Sequence, residues 1–295
     1  MNTDRKIRLA IVNVVCGLCI AALVGALMKY LTDSMSVFQI SWLRFMGQTV
    51  LFLPITLWIA RAETFRPSRP TLQIVRGLTL AGATLAFVTG AQTTDFADAI
   101  AILYAYPFLL TVLAVIFLRE RVQLAGWISV VGGFMGVLLV MRPQFDYVDI
   151  GALWVFLSAV IVSSQMAINR KLGSLSHPMV TTFLGGLVAT ISLSIFIPFH
   201  WSAIPLELIW VIGLMLLLGA VSQALLVYGF SHAEASTLAP FTYFEIIAAV
   251  IIGLMMFGTV PDWISVSGII LIIGCGLAVA HSVSDGKTVK QSAKF

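Results

Sequence analysis

The sequence predicts an all-α integral membrane protein: ten transmembrane helices in two inverted five-helix repeats. Three observations carry that expectation. The composition is 60% apolar and 10% charged, with a mean hydropathy of +1.03, which excludes a soluble globular domain. Apolar runs long enough to cross a bilayer, at the usual ~20 residues per helix, recur along the whole chain. The two halves also resemble each other.

The expected spans are Leu9–Tyr30, Val37–Ile59, Leu72–Thr93, Ala97–Leu118, Val122–Met141, Gly151–Asn169, Pro178–Phe199, Leu206–Phe230, Ala235–Gly258 and Trp263–His281. The first follows Arg5, Lys6 and Arg8 like a signal peptide but runs on without a small-residue cleavage site, so it reads as a retained span. Asp95–Asp98 and His232–Glu234 are turns too short for anything but antiparallel neighbours. Residues 1–145 and 146–283 form the two repeats, and residues 284–295 are expected to be a disordered cytoplasmic tail.

Sliding the chain by 136 positions matches Trp127-Ile128-Ser129-Val130 to Trp263-Ile264-Ser265-Val266. In the same register Gly132 meets Gly268, Phe108 meets Phe244 and Asp98 meets Glu234. Five spans per repeat is an odd number, so the second copy must lie upside down, the architecture of secondary transporters with a site near the midplane. Of the 17 basic residues, Lys29 and Arg142 alone fall in the loops opposite the N-terminus, and Arg44 lies within a span. That bias places both termini in the cytoplasm. The pI near 9 therefore reports membrane orientation and no nucleic-acid partner.

Glu245 is the residue around which the functional expectation turns. A carboxylate in mid-span costs about 2.5–3.5 kcal/mol on insertion scales unless it is partnered, neutral or facing water. Thr237, Phe241, Phe244 or Glu245, and Ala248 share one helix face. Two readings stand side by side: Glu245 partners a substrate amine or a proton, or it is a protonated side chain bonded to a neighbouring helix. Tyr104, Tyr106 and Pro107 interrupt the fourth span as Pro240 and Tyr243 interrupt the ninth, so Pro107 and Pro240 are candidate kinks, static or gating. Arg44 is a candidate charge partner for Asp33, Asp95, Asp98 or a substrate carboxylate. Gln92, Gln165, Gln223 and Tyr228 are polar groups within spans, read either as pocket lining or as interhelical glue. Gly132, Gly136, Gly268 and Gly274 read as close-packing positions, or as a weak dimerisation face on the fifth or tenth span.

No metal or cofactor is expected. Cys16, Cys19 and Cys275 lie in apolar runs, and His177, His200, His232 and His281 sit at span ends without ligand spacing. No H-E-x-x-H, G-x-S-x-G or phosphate loop is present, which points away from an enzyme and from ATP hydrolysis.

Arg44-Phe45, Arg76-Gly77, Leu118-Arg119-Glu120-Arg121, Ala239-Pro240 and Phe257-Gly258-Thr259-Val260-Pro261-Asp262 together resemble the EamA family of the drug/metabolite transporter superfamily. The resemblance covers essentially the whole chain, departing at Thr259, where the family usually carries Glu. It implies ten spans in two inverted repeats around a cavity lined by the first, third, fourth, sixth, eighth and ninth helices. It also implies a multi-pass protein of the bacterial inner membrane that moves amino acids or related metabolites, often outward. The run Ala239–Glu245 looks like relatives that take up S-adenosylmethionine, for which cation–π contact with an acid would serve. The leading expectation is a non-ATP exporter of amino acids or metabolites working by alternating access, with a proton as candidate coupling ion, as a monomer or weak homodimer. The alternatives are uptake of S-adenosylmethionine or another organic cation, and a non-transporting membrane scaffold.

Overall fold

The helices of the computed structural model follow the apolar runs closely. It describes residues 3–118, 124–141, 149–172, 176–233 and 235–292. In order these are α1 (Thr3–Leu31), α2 (Val37–Phe65), α3 (Pro70–Ala91), α4 (Phe96–Leu103), α5 (Tyr106–Leu118), α6 (Leu124–Met141) and α7 (Ile150–Leu172). Then come α8 (Pro178–Ser194), the single turn α9 (Ile197–His200), a 3-10 turn at Leu206–Leu208, α10 (Ile209–His232), α11 (Ala235–Thr242), α12 (Phe244–Phe257) and α13 (Trp263–Ser292). Among the described residues, seven stretches are long and apolar enough to cross a membrane, and Gly126–Met141, Pro178–Ser194 and Trp263–Ala278 are shorter apolar helices. Their outward faces carry Val12, Trp58, Ile128, Ile251, Met255 and Trp263, all exposed, as a lipid-facing surface requires. Arg119, Glu120, Arg121, Arg142 and Glu234 lie outside the described residues.

Two departures from the expected spans are informative. The expected irregular tail is helical to Ser292, because extending an existing helix avoids the cost of nucleating a new one. The fourth and ninth spans are each broken in two. Pro107 lacks the N–H that would serve the Leu103 carbonyl, so α4 ends there and α5 restarts with proline in its first turn. In the ninth span the break falls three residues beyond Pro240. The Thr242 hydroxyl takes the Ala239 carbonyl (2.8 Å), and Ile246 N–H turns to Tyr243 O (3.1 Å). That leaves the Thr242 carbonyl without its helical donor.

Helices pair in a definite pattern. α1 lies along α10, α3 along α7, α2 along α8, α6 along α13, and α4 meets α12. Polar and small residues set these approaches. Ser222 Oγ donates to Gly17 O across α1–α10 (2.8 Å), and Ser158 Oγ donates to Ala83 O across α3–α7 (2.8 Å). On the α6–α13 seam the backbones touch so closely that a Cβ at Gly136 would stand 2.8 Å from the Gly268 carbonyl. The glycines read as packing positions or a dimer face are thus used, at Gly136 and Gly268, inside the chain.

Opposite ends of the bundle are tied by buried cations. Lys29, in the last turn of α1, donates to the carbonyls of Ala91 (2.6 Å) and Thr94 (2.5 Å) at the end of α3, and sits 5.4 Å from the Phe257 ring centroid at the end of α12. At the other end Arg76 on α3 donates to Asn169 Oδ1 of α7 (2.6 Å) and Thr181 O of α8 (2.7 Å).

Candidate functional site

The two helix breaks meet. Tyr104, at the end of α4, places its hydroxyl 2.5 Å from the orphaned Thr242 carbonyl and 2.8 Å from Glu245 Oε2, so that its single proton is shared between the two acceptors. The break at Tyr243 has a second effect: it turns a mid-span acid into a residue of the first turn of α12. There the free N–H groups and the positive end of the helix dipole favour a carboxylate. The acid therefore sits at membrane depth with one strong hydrogen bond and a favourable field.

An aromatic cluster holds this arrangement rigid. Tyr104 packs on Tyr106 and Tyr243, with ring centroids 5.6 and 5.5 Å apart. Tyr243 is pressed in turn against the backbone at Gly276, where no Cβ could fit. Tyr104 is 1% exposed and Tyr243 6%, so both bear on Glu245 from within the packed core. Tyr106, Glu245 and Phe241 are half-buried, and Phe241 stacks on Phe244 with centroids 6.5 Å apart. Along the face shared with Glu245, exposure falls from Thr237 (exposed) through Phe241 to Ala248 (buried).

Arg44 enters from α2. Its guanidinium reaches Thr84 Oγ1 of α3 at 3.4 Å and lies 5.5 Å from the Phe45 ring centroid. Glu245 and Arg44 act on each other through space, yet no ion pair within 4 Å joins them among the described residues. Asp33 and Asp95, expected as partners of Arg44, stand instead in the field of Lys29. Asp98 accepts from Ser265 Oγ (3.1 Å).

Tyr104, Tyr243, Phe241 and Glu245 thus come together, with Pro107 and Pro240 beside the two breaks and Arg44 facing the acid. Other expected site residues lie elsewhere. Gln92 is the exposed C-cap of α3. Tyr228 is exposed near the end of α10, stacked on His232 at 4.1 Å. Gln165 is buried in α7 and Gln223 half-buried in α10, and neither hydrogen-bonds a residue of the cluster. Tyr106, Thr84 and the Thr242 carbonyl belong to the cluster but were not singled out as site residues. A carbonyl freed by a kink has no signature in residue identity. Among the described residues no group of three or more His, Cys, Asp or Glu is placed to hold a metal.

A carboxylate at membrane depth and half-helices meeting at mid-span thus lie together, with no nucleophile–base or metal constellation among the described residues. The sequence matches the EamA-like transporter family over residues 8–142 and again over residues 149–280. The chain belongs to the EamA-like transporter family. It is similar to an S-adenosylmethionine uptake transporter of Rickettsia conorii, 26% identical over 258 residues, covering 86% of each chain. It is also similar to a pseudopaline exporter of Pseudomonas aeruginosa, 27% identical over 216 residues, covering 71% of this chain and 74% of the exporter. A solved crystal structure shares the fold at a TM-score of 0.64 and 16% identity, over 93% of this chain and 96% of that one. This EamA-like protein is a multi-pass membrane transporter and not an enzyme.

Proposed function

We propose that this EamA-like transporter takes up S-adenosylmethionine or a closely similar metabolite with a cationic centre, by alternating access around Glu245. The observation that carries the reading is the Glu245 carboxylate, held by Tyr104 at the start of a half-helix and without an ion-pair partner in contact. A buried charge of that kind is expensive unless a ligand or a proton completes it. The half-buried Tyr106 and Phe241 rings beside it suit a sulfonium or ammonium centre. The similarity to an S-adenosylmethionine uptake transporter along 86% of the chain favours uptake over the export of amino acids expected from the sequence. Outward transport of an amino acid or related metabolite is the second reading, favoured by the similarity to an exporter.

The helix pairing supports two inverted five-helix repeats. If the first repeat holds α1, α2, α3, α4–α5 and α6, exchanging the halves turns the α1–α10 pair into the α3–α7 pair. The same exchange returns α2–α8 and α6–α13 to themselves and turns α1–α12 into α5–α7. Both termini lie in the cytoplasm in this reading, the Lys29 tie closes the periplasmic end, and the exposure gradient from Thr237 to Ala248 marks a cytoplasmic vestibule. A proton taken up by Glu245 when the cation leaves would couple transport to the proton gradient. The α6–α13 seam being used within one chain supports a monomer.

Counterflow in proteoliposomes with labelled S-adenosylmethionine, methionine and aromatic amino acids tests the assignment. Glu245→Gln should lower S-adenosylmethionine exchange at least ~10-fold, the effect of losing ~1.4 kcal/mol or more, and should flatten its dependence on pH. Insertion and thermal stability should be retained. Undiminished exchange by Glu245→Gln would remove the acid from the mechanism, and preferential exchange of amino acids would favour the second reading.

A further inference from the structure

Arg44 is less well satisfied than the other two half-buried cations, Lys29 and Arg76. It is the eighth residue of α2, about 10 Å below the helix start at 1.5 Å per residue. Its side chain is half-buried. A guanidinium offers five N–H donors in a planar fork that matches a carboxylate. Here, among the described residues, that fork makes one long hydrogen bond, to Thr84 Oγ1 at 3.4 Å, and lies against the Phe45 ring. Lys29 and Arg76 differ: each holds two short hydrogen bonds to the neighbouring helices. No carboxylate lies within 4 Å of Arg44 among the described residues, although Glu245 acts on it from across the site. A half-buried charge of each sign therefore lies within the spans, the two interacting electrostatically without a direct ion pair among the described residues.

We propose that Arg44 is the specificity-determining residue of the site: it receives the carboxylate of a zwitterionic substrate whose cationic centre lies at Glu245. The substrate class is then an amino acid or amino-acid conjugate with a free carboxylate, and a bare organic cation is rejected. A cation lacking the carboxylate would satisfy Glu245 and leave the guanidinium desolvated and unpaired. A zwitterion completes both charges at once, its dipole opposed to that of the site. The inference rests on the reading of Glu245 as the cation's partner.

The test compares ligands that differ only in the acid: S-adenosylmethionine against its decarboxylated analogue, and methionine against methioninamide. Thermal shift and counterflow are measured on the wild type, Arg44→Gln and Arg44→Lys. The wild type should favour the acid member of its preferred pair by at least ~30-fold, the effect of truncating one partner of a buried charge pair. Arg44→Gln should collapse that preference to within about threefold by losing the acid member. Arg44→Lys, a point charge without the fork, should fall between them. Equal handling of both members by the wild type overturns the inference without needing any variant to fold, and leaves the cation reading of Glu245 standing. An undiminished preference in Arg44→Gln overturns it equally. Failure of the wild type to bind or move any of the four compounds sinks the proposed function, and this inference with it.

Discussion

Replacing Tyr104 by Phe removes a single oxygen atom yet strands two groups. The Thr242 carbonyl has lost its helical donor to the break and shares this hydroxyl's one proton (2.5 Å) with Glu245, whose one side-chain hydrogen bond among the described residues it is (2.8 Å). A buried acceptor left unsatisfied costs about 1–3 kcal/mol, and a bond to a charged group contributes about 1.5–3 kcal/mol. Polar contacts between membrane helices are worth less, averaging about 0.6 kcal/mol with a maximum near 1.7 kcal/mol. With the ring still packed between Tyr106 and Tyr243 no cavity opens, so the net loss should be about 1–3 kcal/mol. At about 2–4 °C per kcal/mol this lowers the melting temperature in detergent by roughly 2–12 °C. The functional effect should exceed the structural one, because an untethered carboxylate no longer meets the substrate in one geometry; exchange should fall ~10-fold or more. Tyr106→Phe is the matched control, since that hydroxyl makes no hydrogen bond to the acid, and it should leave both readouts nearly unchanged. A Tyr104→Phe protein with unshifted melting and full exchange would refute the account of how the two breaks are joined.

Further expectations concern the frame around the site. Gly136→Ala places a methyl against the Gly268 carbonyl and should destabilise the fold by about 1–3 kcal/mol, read as a lower midpoint in denaturant titration; an unchanged midpoint would show that the seam can yield. Lys29→Met removes two hydrogen bonds and a cation–π contact that hold α1, α3 and α12 together at one end. In a background lacking Cys16 and Cys275, it should raise the rate at which an impermeant maleimide applied from the periplasmic side labels Cys19, whose thiol stands in the field of Glu245. Equal labelling of Lys29→Met and its parent would show that Lys29 is no part of the closure.

Much of this was legible in the residues, for reasons specific to membranes. Lipid demands long apolar runs and internally satisfied backbone, so each stretch announced itself, and Glu245 stood out because a carboxylate is costly there. Pro107 and Pro240 marked the broken spans, since a missing N–H is a local fact. The partners of these groups were hidden because partnership depends on packing. Tyr104 and Thr242 are 138 positions apart, and nothing in either residue says that one supplies the donor the other has lost. Arg44 shows the same limit. Its depth could be counted along α2, but which acids it avoids emerges only once Asp33 and Asp95 are seen to gather about Lys29. Gln92 and Tyr228 lie apart from the cluster, which residue type could not foretell, because a polar side chain within a span has the same composition whether it faces a pocket, the helix end or the bilayer edge.

The glycine seam between α6 and α13 bears on how the molecule could move. Each half supplies one helix to it, and the carbonyl-to-backbone approach at Gly136 and Gly268 leaves no slack for sliding. A joint that cannot shear can still pivot. Rocking of the two halves would then turn about this seam as a door turns about its hinge post, with the largest displacement at α1 and α10 and almost none at the post itself. Cross-linking α6 to α13 should for that reason leave transport running, whereas the same bond placed between α1 and α12 should stop it.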